Sequence, residues 1–242
     1  MTSPTLPGLP GTPATPSVQE SLPAWERPLA VVAHPDDDSF GLGAVLAAFV
    51  DAGADPAVLC YTHGEASTLH GRDGDLREIR AEELRAAAEQ LQVETVRLLD
   101  EPDGGLADVP QEYLVAEVVR TARSHAADGL LVFDLGGVTG HPDHDAATRA
   151  ALGAARVMEL DVLGWTLPAG VADALRGEFD APFVGRDTGD VDLVVAVRRE
   201  RQLAAVQTHP SQAVPGSVLW RRLDLLGDRE HLRWLYRRSR FR

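Results

Sequence analysis

From Leu29 onward the chain alternates short apolar runs with stretches of helical spacing, and this alternation limits the folds open to it. The runs Leu29–Ala33, Ala57–Thr62, Thr95–Leu99 and Leu130–Asp134 predict strands. The stretches Leu42–Ala52, Leu76–Leu91, Gln111–His125 and Asp145–Ala155 predict helices. Val157–Thr166 adds a further extended segment. Such β-α repetition predicts an α/β fold: a Rossmann-like, mostly parallel sheet with helices on both faces. After Leu167 the pattern loosens. Asp192–Val197 reads as a strand at an edge, Glu200–Gln207 as a short helix, and 220–238 as helical. Residues 1–24 are dense in Pro, Thr and Ser, which predicts a flexible arm ahead of a single domain over 25–242.

Bulk composition narrows the partners. With 37 acidic against 23 basic residues the net charge is −14, which disfavours nucleic acid. No apolar run reaches membrane-spanning length, and the first residues lack the basic start and apolar core of a signal peptide. The one cysteine, Cys60, excludes an intrachain disulfide and a cysteine-based zinc knuckle, and fits a cytoplasmic location. It lies in an apolar run and reads as a buried small hydrophobe. The arginines crowded into 229–242 read as a solvated helix or tail.

Two polar clusters stand out: one stops an apolar run abruptly at its carboxyl end, where open parallel sheets bind their ligands, and the other sits after a further apolar run and the connecting stretch LGGVTG. The first is His34-Pro35-Asp36-Asp37-Asp38. His34 and Asp37 are three apart on a turn that opens a helix, so both can face one point. Asp36 and Asp37 are neighbours and point apart, which suggests a division of labour between metal binding and proton transfer. Asp38 and Ser39 are better explained as helix caps. The second cluster is His141-Pro142-Asp143-His144-Asp145, preceded by Gly136, Gly137 and Gly140. Two histidines, one carboxylate and an open position make a hydrolytic-zinc inventory.

Together AHPDDD at Ala33–Asp38 and HPDH at His141–His144 resemble the signatures of the LmbE-like, or PIG-L, family of zinc-dependent N-deacetylases. Thr62, Gly64 and Glu65, then Arg80, Glu83 and Leu84, then Asp100 through Gly104, and finally His209, Ser211 and Gln212 agree with the resemblance. It spans Leu29 to about Gln212. It implies one zinc per chain, or another divalent ion such as Fe2+, bound by His34, Asp37 and His144. It further implies Asp36 as general base and His141 as electrophile or general acid, with Asp103 as a substrate-binding residue. Arg80 reads either as a substrate-binding residue or as a helix-surface ion pair with Glu83, and His209, with Ser211 and Gln212, either as a substrate-binding residue at the pocket mouth or as part of a loop that hydrogen-bonds to itself. The implied reaction removes an N-acyl group, acetyl first, from a small amino-sugar conjugate of the N-acetylglucosamine type. Self-association is compatible with this reading. The family motif usually ends in Glu where this chain has Asp38, a shorter acid that bears on support behind the site. His63 and His70, in the loop after the second strand, are not expected to be ligands. Asp143 and Asp145 are expected either to orient the histidines or, for Asp145, to face the helix N-terminus.

Other readings are an amidase of a different N-acyl or thiol-conjugate substrate, a two-metal phosphoesterase, a nucleotide-binding protein and an inactive sugar-binding relative. A phosphoesterase needs more ligands than the sequence offers. The G-x-G-x-x-G of a dinucleotide site is absent after the first strand. The complete set of five polar residues argues against decay.

Overall fold

The computed structural model describes residues 18–69, 74–136 and 138–238. The chain runs β1 (Pro28–Val32), α1 (Asp37–Phe40), α2 (Gly43–Asp51), β2 (Ala57–Thr62), α3 (Leu76–Leu91), β3 (Thr95–Glu101), α4 (Gln111–His125), β4 (Gly129–Phe133) and α5 (Pro142–Met158). It continues through β5 (Asp161–Pro168), α6 (Ala169–Phe179), β6 (Gly185–Arg186), β7 (Leu193–Ala196), α7 (Glu200–Gln207), α8 (Val218–Leu226) and β8 (Arg229–Tyr236). The sheet order is β3-β2-β1-β4-β5-β8-β7, with β6 pairing β5 off the main path. β1 to β5 run parallel to one another, and β8 lies antiparallel to both β5 and β7.

β1 explains how the helices come to cover both faces. It is buried along its whole length, so its side chains alternate between two cores. Ala30 and Val32 join the core that contains Leu46 and Phe49 of α2 and Leu84 and Leu91 of α3. Leu29 and Val31 join the other, with Leu114 and Val118 of α4 and the alanines of α5. The expected Rossmann-like, mostly parallel architecture is therefore present.

Several details differ from the sequence reading. The expected helix over Leu42–Ala52 is present as α2, but a separate short helix, α1, precedes it. α5 begins three residues before the expected Asp145, because Pro142 supplies a ready-made first helical residue and makes His141 the N-cap. The same helix persists to Met158, so β5 starts later than expected. α6 went unforeseen. The expected helix over 220–238 is half wrong: α8 ends at Leu226 and β8 follows. Its arginines suggested a solvated helix, but Glu230 and Leu232 are buried on one side of a two-residue period. A buried glutamate is tolerated there because Trp165 Nε1 and Arg199 Nη1 both donate to it at 2.6 Å. At the other end, Gln19 already pairs beside β7, donating to Asp192 O at 2.8 Å and accepting from Val194 N at 2.9 Å. Contact with the sheet thus begins before residue 25. Residues 1–17 of the expected arm, His70, Gly137, Arg240 and Arg242 lie outside the described residues. No helix among the described residues is long and apolar enough to cross a membrane.

Candidate active site

β1 has β2 on one side and β4 on the other, which makes the β1–β4 boundary the switch point of the sheet. The loop after β1 and the start of α1 carry His34, Asp36 and Asp37. The loop after β4 and the start of α5 carry Thr139, His141 and His144. The topology brings together two clusters separated by about a hundred residues.

Three donors meet closely. His34 Nδ1 lies 3.0 Å from His144 Nε2, and His144 Nε2 lies 3.1 Å from Asp37 Oδ1. His34 Nδ1 is 3.5 Å from Asp37 Oδ2. Ligand atoms held about 2 Å from a tetrahedral zinc stand about 3.3 Å apart, so this donor set fits such an ion. His141 can join His34 and His144 in a wider group, with donor atoms within 4.8 Å of one another. The His/Asp cluster thus offers a place for a metal.

Each donor is held from behind. The backbone N–H groups of Ala33 and His34 donate to Asp37 Oδ2 at 3.2 and 2.9 Å, fixing the carboxylate. Burial alone would raise the Asp37 pKa, but His144 and His34 outweigh it and hold the group well below the carboxylate range. His144 Nδ1 lies 3.0 Å from Thr139 Oγ1, and its ring meets Phe133 edge-on. His34 Nε2 faces Asp103 Oδ1 at 3.0 Å and Asp143 Oδ2 at 3.6 Å. These last three residues could also be read as a second cation group. Asp143, however, already accepts from the N–H groups of Gly104 and Leu106 at 2.8 and 3.1 Å, and Asp103 from Ala66 N at 2.8 Å. Carboxylates on the far nitrogen of a metal-facing histidine fix its tautomer. Asp103, expected as a substrate contact, therefore also supports His34.

Asp36 stands beside the donor set without joining it. Arg80, only 3% exposed, donates through Nη2 to Asp36 Oδ1 and through Nη1 to Gly64 O at 2.7 Å. The alternative partner considered for Arg80, Glu83, instead accepts from Ser211 N and Oγ at 3.0 and 2.6 Å. Gly64 is required for this arrangement. Its φ is +65°, and a Cβ there would stand 1.8 Å from Arg80 Nη1. Gly64→Ala is expected to lower stability by more than about 1 kcal/mol and to pull Arg80 off Asp36. Thermal unfolding together with a structure of the variant checks this; an unmoved Arg80 contradicts it.

His141 is half-buried. Its Nδ1 accepts from Asp143 N at 3.2 Å, which leaves the proton of the neutral ring on Nε2. Burial, then the neighbouring His34 and His144, lowers its pKa. His141 is accordingly a neutral Nε2–H donor near pH 7.

These groups line one cavity of about 480 Å³, which also takes in Phe40, Ala66, Leu69, Phe183, Gln212 and Arg222. Arg80 and Asp103 lie in its wall. His209 does not: it is fully buried, edge-on to Phe40, with Glu83 at 3.8 Å. Gln212 reaches the wall in its place and accepts from Ser67 Oγ at 2.8 Å. His63 pairs with Asp100 at 3.0 Å and does not line the cavity. Asp145 accepts from Gly136 N at 3.1 Å and pairs with Arg149 at 2.5 Å. Asp38 is fully buried behind the site, and neither of its oxygens has a hydrogen-bond partner among the described residues. Burial and the charge of Asp36 push its pKa well up. Thr139, Phe133 and Arg222 were not anticipated; only Thr139, three residues before a histidine pair's proline, sits where spacing alone hints at a role. A larger depression of about 1000 Å³ opens at the amino ends of β2 and β3, beside Asp55, Arg85 and Glu94, away from these groups.

Comparison with known proteins agrees with the geometry. Residues 29–155, just over half of the chain, match the family model described as PIG-L: GlcNAc-PI de-N-acetylase. A relative from Kineococcus radiotolerans, named 1D-myo-inositol 2-acetamido-2-deoxy-alpha-D-glucopyranoside deacetylase, is 32% identical over 189 residues. The match covers 65% of this chain and 49% of that protein, so the chain spans about half the length of this relative. Among solved structures, the zinc inhibited form of teicoplanin deacetylase Orf2 aligns with a TM-score of 0.65 at 22% identity, over 89% of this chain and 100% of that one. GalB, the 4-carboxy-2-hydroxymuconate hydratase from Pseudomonas putida KT2440, aligns with a TM-score of 0.67 at 17% identity, over 90% and 99%. The fold therefore serves both a deacetylase and a hydratase, and the reaction must be argued from the site.

Proposed function

We propose, from the premise that this chain belongs to the PIG-L family, that it is a zinc-dependent hydrolase removing an N-acyl group, acetyl first, from an amino-sugar conjugate of the N-acetylglucosamine type. The observation that carries the reading is the meeting of His34 Nδ1, His144 Nε2 and Asp37 within 3.0 to 3.5 Å, beside a carboxylate that Arg80 holds in the same cavity. The names of the relatives support the substrate class.

His34, Asp37 and His144 would hold the ion. Zinc bound in such a site supplies a water pKa lowered toward about 7 and polarisation of the amide carbonyl. Asp36 takes the proton of the attacking water. Its pairing with Arg80 holds it in the cavity wall, where a base must stand. His141 donates its Nε2–H to the carbonyl oxygen as that atom gains charge. The proton removed by Asp36 is then available to the nitrogen, which must be protonated to leave. Arg80 and Asp103 bound the space for the sugar; buried His209 acts at most through Glu83 and the loop at Ser211.

Amine release from N-acetylglucosaminides tests the reading. The zinc-loaded protein should release amine and the chelator-stripped protein should not. A zinc-replete protein inert toward N-acyl amino sugars but active on an aryl phosphate or an enol acid would end it.

Loading should depend on pH. Burial alone would lower the His34 pKa, but Asp103, Asp143 and Asp37 outweigh it and raise it well above the usual value. In the metal-free protein His34 thus keeps a proton that zinc must displace, whereas Asp37 is already ionised. Apparent affinity should fall about tenfold per pH unit below the raised pKa and level off above it. The same shift stabilises the metal-free fold below the unfolded histidine pKa, and that contribution is lost as pH rises through the folded value. Chelator competition across pH, with proton release read in two buffers, checks this. Release of no proton at pH 7 contradicts it.

A further inference from the structure

The cavity has a second wall that this chemistry leaves unused. Ser217, Val218, Leu219 and, one turn on, Arg222 all line it at the start of α8. Ser217 is the N-cap residue, yet its hydroxyl makes no capping bond and is buried without a partner among the described residues. Arg222 is 6% exposed. Its Nη2 donates to Phe40 O, and its guanidinium carbon lies 5.1 Å from the centroid of the Trp165 ring. Its Nε has no partner among the described residues. Among the described residues it forms no ion pair with a carboxylate. Glu230, the acid whose charge it feels most, is engaged by Trp165 and Arg199.

A buried cation without a counter-charge is costly. Burial pushes the Arg222 pKa down to about 10, so the group is still charged at neutral pH. Arg80, the other cation in the cavity wall, differs in having Asp36. An oxyanion reaching this wall would meet the guanidinium and the N-terminal end of α8 together, an arrangement that favours negative charge.

We propose that the α8 wall is a subsite for an oxyanion carried by the substrate, a carboxylate or a phosphate attached to the N-acyl amino sugar, and that Arg222 selects for it. This rests on the deacylase reading, which the test keeps separate. Three substrates are compared with the zinc-loaded full chain: the methyl glycoside of N-acetylglucosamine, its carboxymethyl glycoside and N-acetylglucosamine 6-phosphate. Binding of inorganic phosphate is followed by calorimetry in parallel. The wild type should favour at least one anionic substrate by about tenfold or more in kcat/KM, and the anionic partner that gains identifies the source of the charge. In Arg222→Gln the anionic-to-neutral ratio should collapse toward one, whatever the absolute rate, and phosphate binding should weaken about tenfold. Arg222→Lys should recover part of both. Equal treatment of all three substrates by an active wild type, or phosphate binding unchanged in Arg222→Gln, overturns the proposal. Loss of phosphate binding in the variant while no substrate is turned over sinks the deacylase reading and leaves the subsite standing. If Arg222→Gln does not fold, Ser217→Ala decides: its hydroxyl has no partner to lose, so the melting temperature should hold while phosphate binding weakens about threefold. Unchanged binding there overturns the subsite.

Discussion

Asp36→Asn is expected to keep zinc and to lose about 100- to 10,000-fold in amide hydrolysis. The carboxylate is absent from the close donor set, so its loss leaves His34, Asp37 and His144 in place. What disappears is the acceptor for the water proton. The substitution also touches stability, because Arg80 is nearly buried and Asp36 is its carboxylate partner. Removing one member of a buried pair leaves the other uncompensated. The Asp36 side chain is 19% exposed, so the cost should be about 2 kcal/mol, below that of a fully enclosed pair. Asn retains an oxygen that can still accept from Arg80, which makes it a fairer test than Ala. Zinc content by elemental analysis, kcat and melting temperature together check the prediction. A variant that loses its metal while Asp37→Asn keeps it reverses the two roles.

The parts of this site that were legible in the sequence share a physical signature. A buried parallel strand is an unbroken apolar run, and His34-Pro35-Asp36-Asp37 breaks one abruptly. Polar groups are too costly at that point to be there by chance of composition. His141 and His144 were legible by a different signal, a three-residue spacing that supplies the donors the first cluster lacks, and the sheet order then brought the two ends together. The exact agreement at β2, α3, α4 and α7 has a similar origin, since each is a clean run of one period. The failures lie where long-range partners decide. β8 contains a glutamate that only Trp165 and Arg199, far away in sequence, make tolerable in the sheet. His209 carries a residue type suited to a pocket rim, yet it packs in the interior against Phe40. Arg222 had no local pattern at all, because its meaning comes from what it lacks among the described residues: a carboxylate partner that would have to come from another element. Asp103 was legible as a site residue, but its bond to His34 required the tertiary fold.

His144→Ala should abolish zinc binding at micromolar metal and, with it, all but a trace of activity. His144 Nε2 touches both other donors, at 3.0 Å from His34 Nδ1 and 3.1 Å from Asp37 Oδ1, so it is the hub of the set. Two remaining donors cannot hold the ion against water as three do, and loss of a ligand costs more than the 10- to 100-fold that loss of a supporting partner costs. Asp37→Ala should do the same, and it frees the N–H groups of Ala33 and His34 that its other oxygen accepts from, so the turn itself should loosen. His141→Ala separates the tight donor set from the wider one. If Asp37 completes the site, the His141 variant keeps its zinc and loses about two to three orders of magnitude in rate, the usual cost of a missing donor to the developing oxyanion. If His141 is instead the third ligand, its variant loses the metal and Asp37→Ala retains it. Zinc content of the three purified variants, measured after dialysis against a weak chelator, reads the difference directly. The outcome also bears on proton transfer, because a His141 bound to metal could not present its Nε2–H to the carbonyl oxygen, and that role would have to pass to another group in the cavity wall.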